Sequence, residues 1–89
     1  MKAVVTVIGR DSIGIIADVS AICSQYGANI VDITQSVMRE YFAMIMLVEL
    51  EALKIGFSEF AEALAKHGEA KGLEIRAMHE DIFNTMHHI

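Results

Sequence analysis

The stretch Val4-Val5-Thr6-Val7-Ile8-Gly9-Arg10-Asp11-Ser12-Ile13-Gly14-Ile15-Ile16 decides the fold, because a β-branched run meets two glycines and passes at once into a helical pattern. Lys2 to Ile8 is largely apolar on both faces, as expected of a strand buried on two sides. From Ile15 the apolar residues fall at Ile15, Ile16, Val19, Ile22, Cys23 and Tyr26, a 3.6-period stripe. Asp11 or Ser12 is the expected cap of this helix, and Gly27 ends it in a left-handed conformation. The loop therefore presents a helix N-terminus, with its unpaired N–H groups and partial positive charge, at an exposed edge that suits anions. Gly14 is read as part of the first helical turn, where glycine costs about 1 kcal/mol relative to alanine and so asks for a reason, such as the close approach of a ligand.

Working outward, Ile30 to Met38 alternates, with Asp32, Thr34 and Ser36 on one side and Val31, Ile33 and Val37 on the other. Only Arg39 and Glu40 separate it from Tyr41 to Leu50, which predicts a hairpin even though the Asn-Gly or Asp-Gly signature of a tight turn is absent. Ser58 is the expected cap of a second helix whose inward face is Phe57, Phe60, Ala61, Leu64 and Ala65, ending at Gly68 or Gly72. Leu73 to Met78 forms a fourth strand with Glu74 and Arg76 outward, and Ile82, Phe83, Met86 and Ile89 mark a short amphipathic tail helix.

The order strand, helix, strand, strand, helix, strand implies an α+β fold. Two split βαβ units with right-handed crossovers give a ferredoxin-like βαββαβ sandwich, a four-stranded antiparallel sheet with both helices on one face. The first and third strands, apolar on both faces, belong in the centre. Met44, Met46 and Met78 are expected on the face away from the helices, which the tail helix or a partner subunit must cover.

The 89 residues contain no proline and no Ser/Gly-rich linker, which predicts one domain over 1–89 with a helical tail over 79–89. A hydrophobic content of 54% is high for this length and points to an oligomer, a homodimer or a higher assembly. Twelve acidic against seven basic residues give a formal charge of −5, the wrong sign for nucleic acid. The longest uncharged apolar run, Tyr41 to Val48, falls far short of a membrane span, and no secretory leader pattern is present, so no membrane association and a cytoplasmic location are expected. The lone Cys23 sits on an apolar stripe and reads as a buried thiol. His79, His87 and His88 lie near Glu80 and Asp81, but no His-x-x-x-His pair exists, so neither a metal nor another cofactor is expected.

The loop Gly9-x-Asp11-x-x-Gly14-Ile15, followed by Ala17-Asp18-Val19-Ser20 and Gly27-Ala28-Asn29-Ile30, resembles the ACT domain. That module binds amino acids and regulates metabolic enzymes, and the similarity covers most of the chain. Small stand-alone ACT proteins and the ACT modules of the glycine-cleavage regulator and of formyltetrahydrofolate deformylase are the most similar in pattern. The resemblance implies a non-catalytic regulatory or sensor domain holding a small amino-acid-like ligand between two subunits, with a metabolic enzyme or regulator as partner. Carried over by position, the ligand contacts fall on Asp11 and Gly14 of one chain and on Asn29 and Ile30 of the other. Asp11 stands where serine-binding members have a neutral amide, and its carboxylate suits a ligand amine.

Plainer roles stay open. Asp11 and Ser12 can act as caps alone or also touch ligand, Arg10 is either a solvated loop residue or an anchor for a carboxylate, and Asn29 is either a turn residue or a contact. A ligand-free interaction module is the alternative of a different class. An acylphosphatase-like enzyme is the third reading, weakened because Ile15 to Tyr26 contains no arginine.

Overall fold

The computed structural model describes residues 1–10 and 13–86. Its elements follow the order β1 (Lys2–Gly9), α1 (Ile15–Tyr26), β2 (Asn29–Met38), β3 (Tyr41–Glu49), α2 (Phe57–Lys71), β4 (Glu74–His79) and α3 (Glu80–Met86). The four strands form one antiparallel sheet in the order β2-β3-β1-β4, so β1 and β3 are central. This is the ferredoxin-like arrangement.

The core lies between the sheet and the two long helices. Ala3, Val5 and Val7 of β1 and Phe42, Met44, Met46 and Val48 of β3 meet Val19 and Cys23 of α1 and Phe60 and Leu64 of α2 there, all essentially inaccessible. Tyr26 and Phe60 pack edge to face across the helices with ring centroids 6.4 Å apart. Phe57 stacks on His79 at 4.2 Å and ties the start of α2 to the end of β4. Gly68 lies inside α2, where a side chain would come within 2.7 Å of the Leu73 carbonyl, so the glycine sets how closely helix and strand approach. Gly72, not Gly68, ends the helix.

Several expectations are corrected. Met44 and Met46 belong to the core and not to the opposite face, because β3 is apolar on both sides and alternation alone cannot say which set turns toward the helices. In β2 a register shift between Ile30 and Asp32 inserts Val31 as an extra residue. Ile30 and Ile33 therefore both pack on the core, while Val31 and Val37 stay exposed. The hairpin turn forms with Arg39 at φ 58°, a left-handed conformation without glycine. The N-cap of α2 is Gly56 rather than Ser58, which falls within the first turn.

The tail helix is present, but none of its residues is buried: Ile82 and Met86 remain 52% and 64% exposed in the single chain. Ile89 lies outside the described residues. No helix among the described residues is long and apolar enough to cross a membrane.

Candidate functional site

Gly14 is the N-cap of α1 and not a member of its first turn. Its φ of 76° and ψ of −2° place it in the left-handed region, which is the physical reason for a glycine at this point. The cap is thus neither Asp11 nor Ser12, and both of those residues lie outside the described ones. The first intrahelical bond runs from the Asp18 N–H to the Gly14 carbonyl at 2.9 Å. Helix geometry leaves the N–H groups ahead of it without intrahelical acceptors. Among the described residues, a Cβ built on Gly14 would meet no atom within 4 Å.

Around Gly14 the structure gathers residues that the sequence pattern had not connected. Ile13, Ile15, Asp18, Lys71 and Leu73 line a depression of about 140 Å³ between the start of α1 and the end of α2. Asp18 Oδ2 also lies 3.4 Å from His67 Nε2, a link between the two helices that carries charge attraction only when the imidazole is protonated. Lys71 and His67 escape a sequence reading because they sit on α2, dozens of residues from the loop. Arg10 stands at the same end of the sheet, its guanidinium carbon 5.8 Å from the centre of the Tyr41 ring.

Asn29 and Ile30 do not join this group. The pairing of Asn29 with Glu49, and of Glu49 with Lys2, puts them at the Lys2 end of the sheet, whereas Gly9 and the loop to Gly14 lie at the opposite end beside Phe42. The length of β1 separates the two ends, roughly 23 Å at about 3.3 Å per residue step. Asn29 is the first residue of β2 and no turn residue, and its Nδ2 donates to Glu49 Oε1 at 3.0 Å. Glu49 is accordingly a neighbour of the candidate contact that spacing alone could not identify. Within one chain, then, the candidate residues among those described lie in two separate places, Arg10 and Gly14 at one end of the sheet and Asn29 and Ile30 at the other.

Cys23 is fully inaccessible, and burial pushes its thiol pKa up to about 11, the environment of an inert core thiol rather than of a nucleophile. No cluster of three or more metal-ligating side chains occurs among the described residues, and His87 and His88 lie outside them. Another depression, about 450 Å³ and lined by Met1, Lys2, His79, Glu80, Asp81 and Ile82, lies at the far end from Gly14.

The ACT-domain family model matches residues 2–78. A UPF0237 protein of Methanopyrus kandleri is 43% identical over 88 residues, spanning 99% of this chain and 98% of its own length. Among solved structures, an ACT domain protein from Streptococcus pneumoniae superposes with a TM-score of 0.82 at 36% identity, covering 93% of each chain. A formyltetrahydrofolate deformylase from Pseudomonas syringae shares the fold at 20% identity, with a TM-score of 0.78 over 88% of this chain and 27% of that one.

Proposed function

The chain belongs to the ACT-domain family, a regulatory rather than a catalytic class of module, and on that premise we propose that it is a sensor for a small amino-acid-like ligand held between two copies of the chain. The observation that carries this reading is Gly14, a left-handed cap where a side chain would meet none of the described residues within 4 Å, at the head of a helix whose first N–H groups suit a carboxylate. Asp11 is assigned to the ligand amine, Ser12 and Arg10 to its polar periphery, and Asn29 and Ile30 of a second copy complete the pocket. The separation of the two half-sites supports the two-chain requirement. β2 is an edge strand, and a two-fold axis pairing it antiparallel with its counterpart brings the second copy's Asn29 to the end of the sheet where Gly14 lies. Ligand bridging would favour one dimer arrangement, which a metabolic enzyme or regulator reads.

The test is calorimetry and thermal shift against the common amino acids. Gly14→Val is expected to abolish binding on its own chain's side of the pocket, and Asn29→Ala to weaken it. Asp11→Ala should lose about 1.5–3 kcal/mol if the charged contact exists. Mixing Gly14→Val with Asn29→Ala is the decisive arm. A two-chain site recovers one intact pocket in the mixed dimer, whereas a single-chain site recovers none. Silence across the whole screen would leave the ligand-free interaction module as the reading.

A further inference from the structure

The depression beside Gly14 carries one charge of each sign on walls that are otherwise apolar. Ile13, Ile15 and Leu73 form the walls, and Asp18 of α1 and Lys71 of α2 stand among them. The two charges do not pair with each other. Asp18 turns Oδ2 toward His67 at 3.4 Å, and a carboxylate accepts on its second oxygen as well. Lys71 forms no ion pair among the described residues, although Lys66 on the same helix takes Glu62 at 3.1 Å and Arg76 of β4 takes Glu74 at 2.6 Å. Opposite charges that face one depression without touching leave a donor and an acceptor for whatever enters it.

The depression also adjoins the head of α1, since Ile13 and Ile15 flank Gly14 in the chain. A ligand whose carboxylate rests on the first N–H groups of α1 therefore has its side chain within reach of it. Its volume of about 140 Å³ is room for roughly five waters at ~30 Å³ each, and hence for a side chain of about four or five heavy atoms.

Resting on the ligand reading above, we propose that this depression receives the ligand's side chain and selects one that ends in a carboxamide, its oxygen on Lys71 and its N–H on Asp18. Charge decides against the other classes. A side-chain carboxylate attracted by Lys71 is repelled by Asp18, and an ammonium meets the same two forces in reverse, so for either the gains cancel. An aliphatic side chain suits the walls but strips water from both charges and returns no hydrogen bond. A hydroxyl donates and accepts from a single atom, which is poorly placed to serve two groups that stand apart. A carboxamide offers one atom to each, and both of its hydrogen bonds are charge-assisted. Asp18 and Lys71 are therefore the residues that determine specificity, while Gly14 and the N–H groups of α1 hold what all amino acids share.

Calorimetry on the full chain tests this, with asparagine, glutamine, aspartate, glutamate, ornithine and norvaline as probes. The wild type is expected to bind an amide about ten-fold or more tightly than the matching acid and than norvaline, the size of one charged hydrogen bond. Asp18→Asn is expected to move the preference toward the acids and Lys71→Met to move it toward ornithine, shifts of opposite sense. Circular dichroism should stay unchanged, since the Asp18 side chain is 43% exposed and Lys71 is exposed. If one variant does not fold, the other carries the test. A wild type that binds acid or aliphatic probes as tightly as amides would overturn the proposal. So would a folded variant that weakens every probe by the same factor, the signature of an Asp18 that only ties α1 to α2 through His67. Either result leaves the ligand reading standing, whereas silence with all the common amino acids overturns that reading and this one together.

Discussion

Substituting alanine at Gly14 and at Gly27 separates backbone strain from steric obstruction in the two places that frame the candidate site. Gly27 closes α1 with φ 83° and sets the start of β2, where Asn29 lies, while Gly14 opens the same helix with φ 76°. A left-handed conformation costs an L-residue about 1–2 kcal/mol, and the reduced entropy of the unfolded chain returns about 0.4–1 kcal/mol. Strain alone therefore removes about 1 kcal/mol at either position. The surroundings differ sharply. A Cβ on Gly14 meets none of the described residues within 4 Å, whereas on Gly27 it would clash with the Ala52 carbonyl oxygen. That carbonyl belongs to a loop pinned by the Lys54 N–H to Tyr26 O bond at 2.8 Å and the Leu53 N–H to Leu50 O bond at 3.1 Å, so relief requires moving hydrogen-bonded backbone. Such overpacking adds about 1–3 kcal/mol. Gly14→Ala should thus lower the melting temperature by about 4–8 °C, and Gly27→Ala by two to four times as much, for a chain of this length. Thermal and urea unfolding of the two variants measure it. Equal losses, or a larger loss at Gly14, would refute the steric account. Ligand affinity should respond to Gly14→Ala and not to Gly27→Ala unless β2 itself shifts.

Other outcomes follow from single features. Gly68→Ala should destabilise, although alanine is the better helix former, because the new methyl meets the Leu73 carbonyl at 2.7 Å and Ile75 at 3.0 Å; a rise in melting temperature would contradict the close packing of α2 on β4. Cys23 should resist a thiol reagent in the folded protein and react only on unfolding. Its folded pKa is raised from 9.0 to about 11, so the thiol's contribution is complete below the unfolded pKa and is lost as pH climbs from 9.0 to about 11. Alkaline unfolding in that window should be milder in Cys23→Ala than in wild type, relative to each protein's stability at neutral pH. Truncation before Glu80 should uncover Val4, at a cost of about 1.5–3 kcal/mol, and promote aggregation; unchanged stability would mean that α3 does not shield the sheet.

Element order and strand order were legible in this sequence because each rests on a one-dimensional signal. The 3.6-period stripe of Ile15, Val19 and Cys23 and the two-faced apolar runs of β1 and β3 are such signals. What failed needed a second dimension. Alternation says that Met44 and Met46 share a face but not which face, and the answer depends on helices far away in the chain. The bulge at Val31 shifts the period of β2 partway along, and no residue there announces it, since the inserted residue is an ordinary valine. Caps failed for a related reason. Ser12 and Ser58 have the right chemistry, yet Gly14 and Gly56 occupy the cap positions because the path of the chain into each helix decides where it begins.

The candidate site shows the same division more sharply. Gly14 could be picked out from its sequence context, and its left-handed φ supplies the reason for glycine that the helical reading lacked. Asn29 and Ile30 could be picked out only by resemblance, and register then puts them a full strand length from Gly14. A pocket made from both halves cannot close within one chain. The mixed Gly14→Val and Asn29→Ala experiment therefore tests the geometry with any amino acid that the screen finds to bind, since recovery of binding on mixing requires two chains whatever that amino acid is. An Asn29→Ala variant that is folded, dimeric and binds as tightly as the wild type would place the ligand entirely at the head of α1. It would also leave the exposed amide of Asn29 with Glu49 as its only assigned partner.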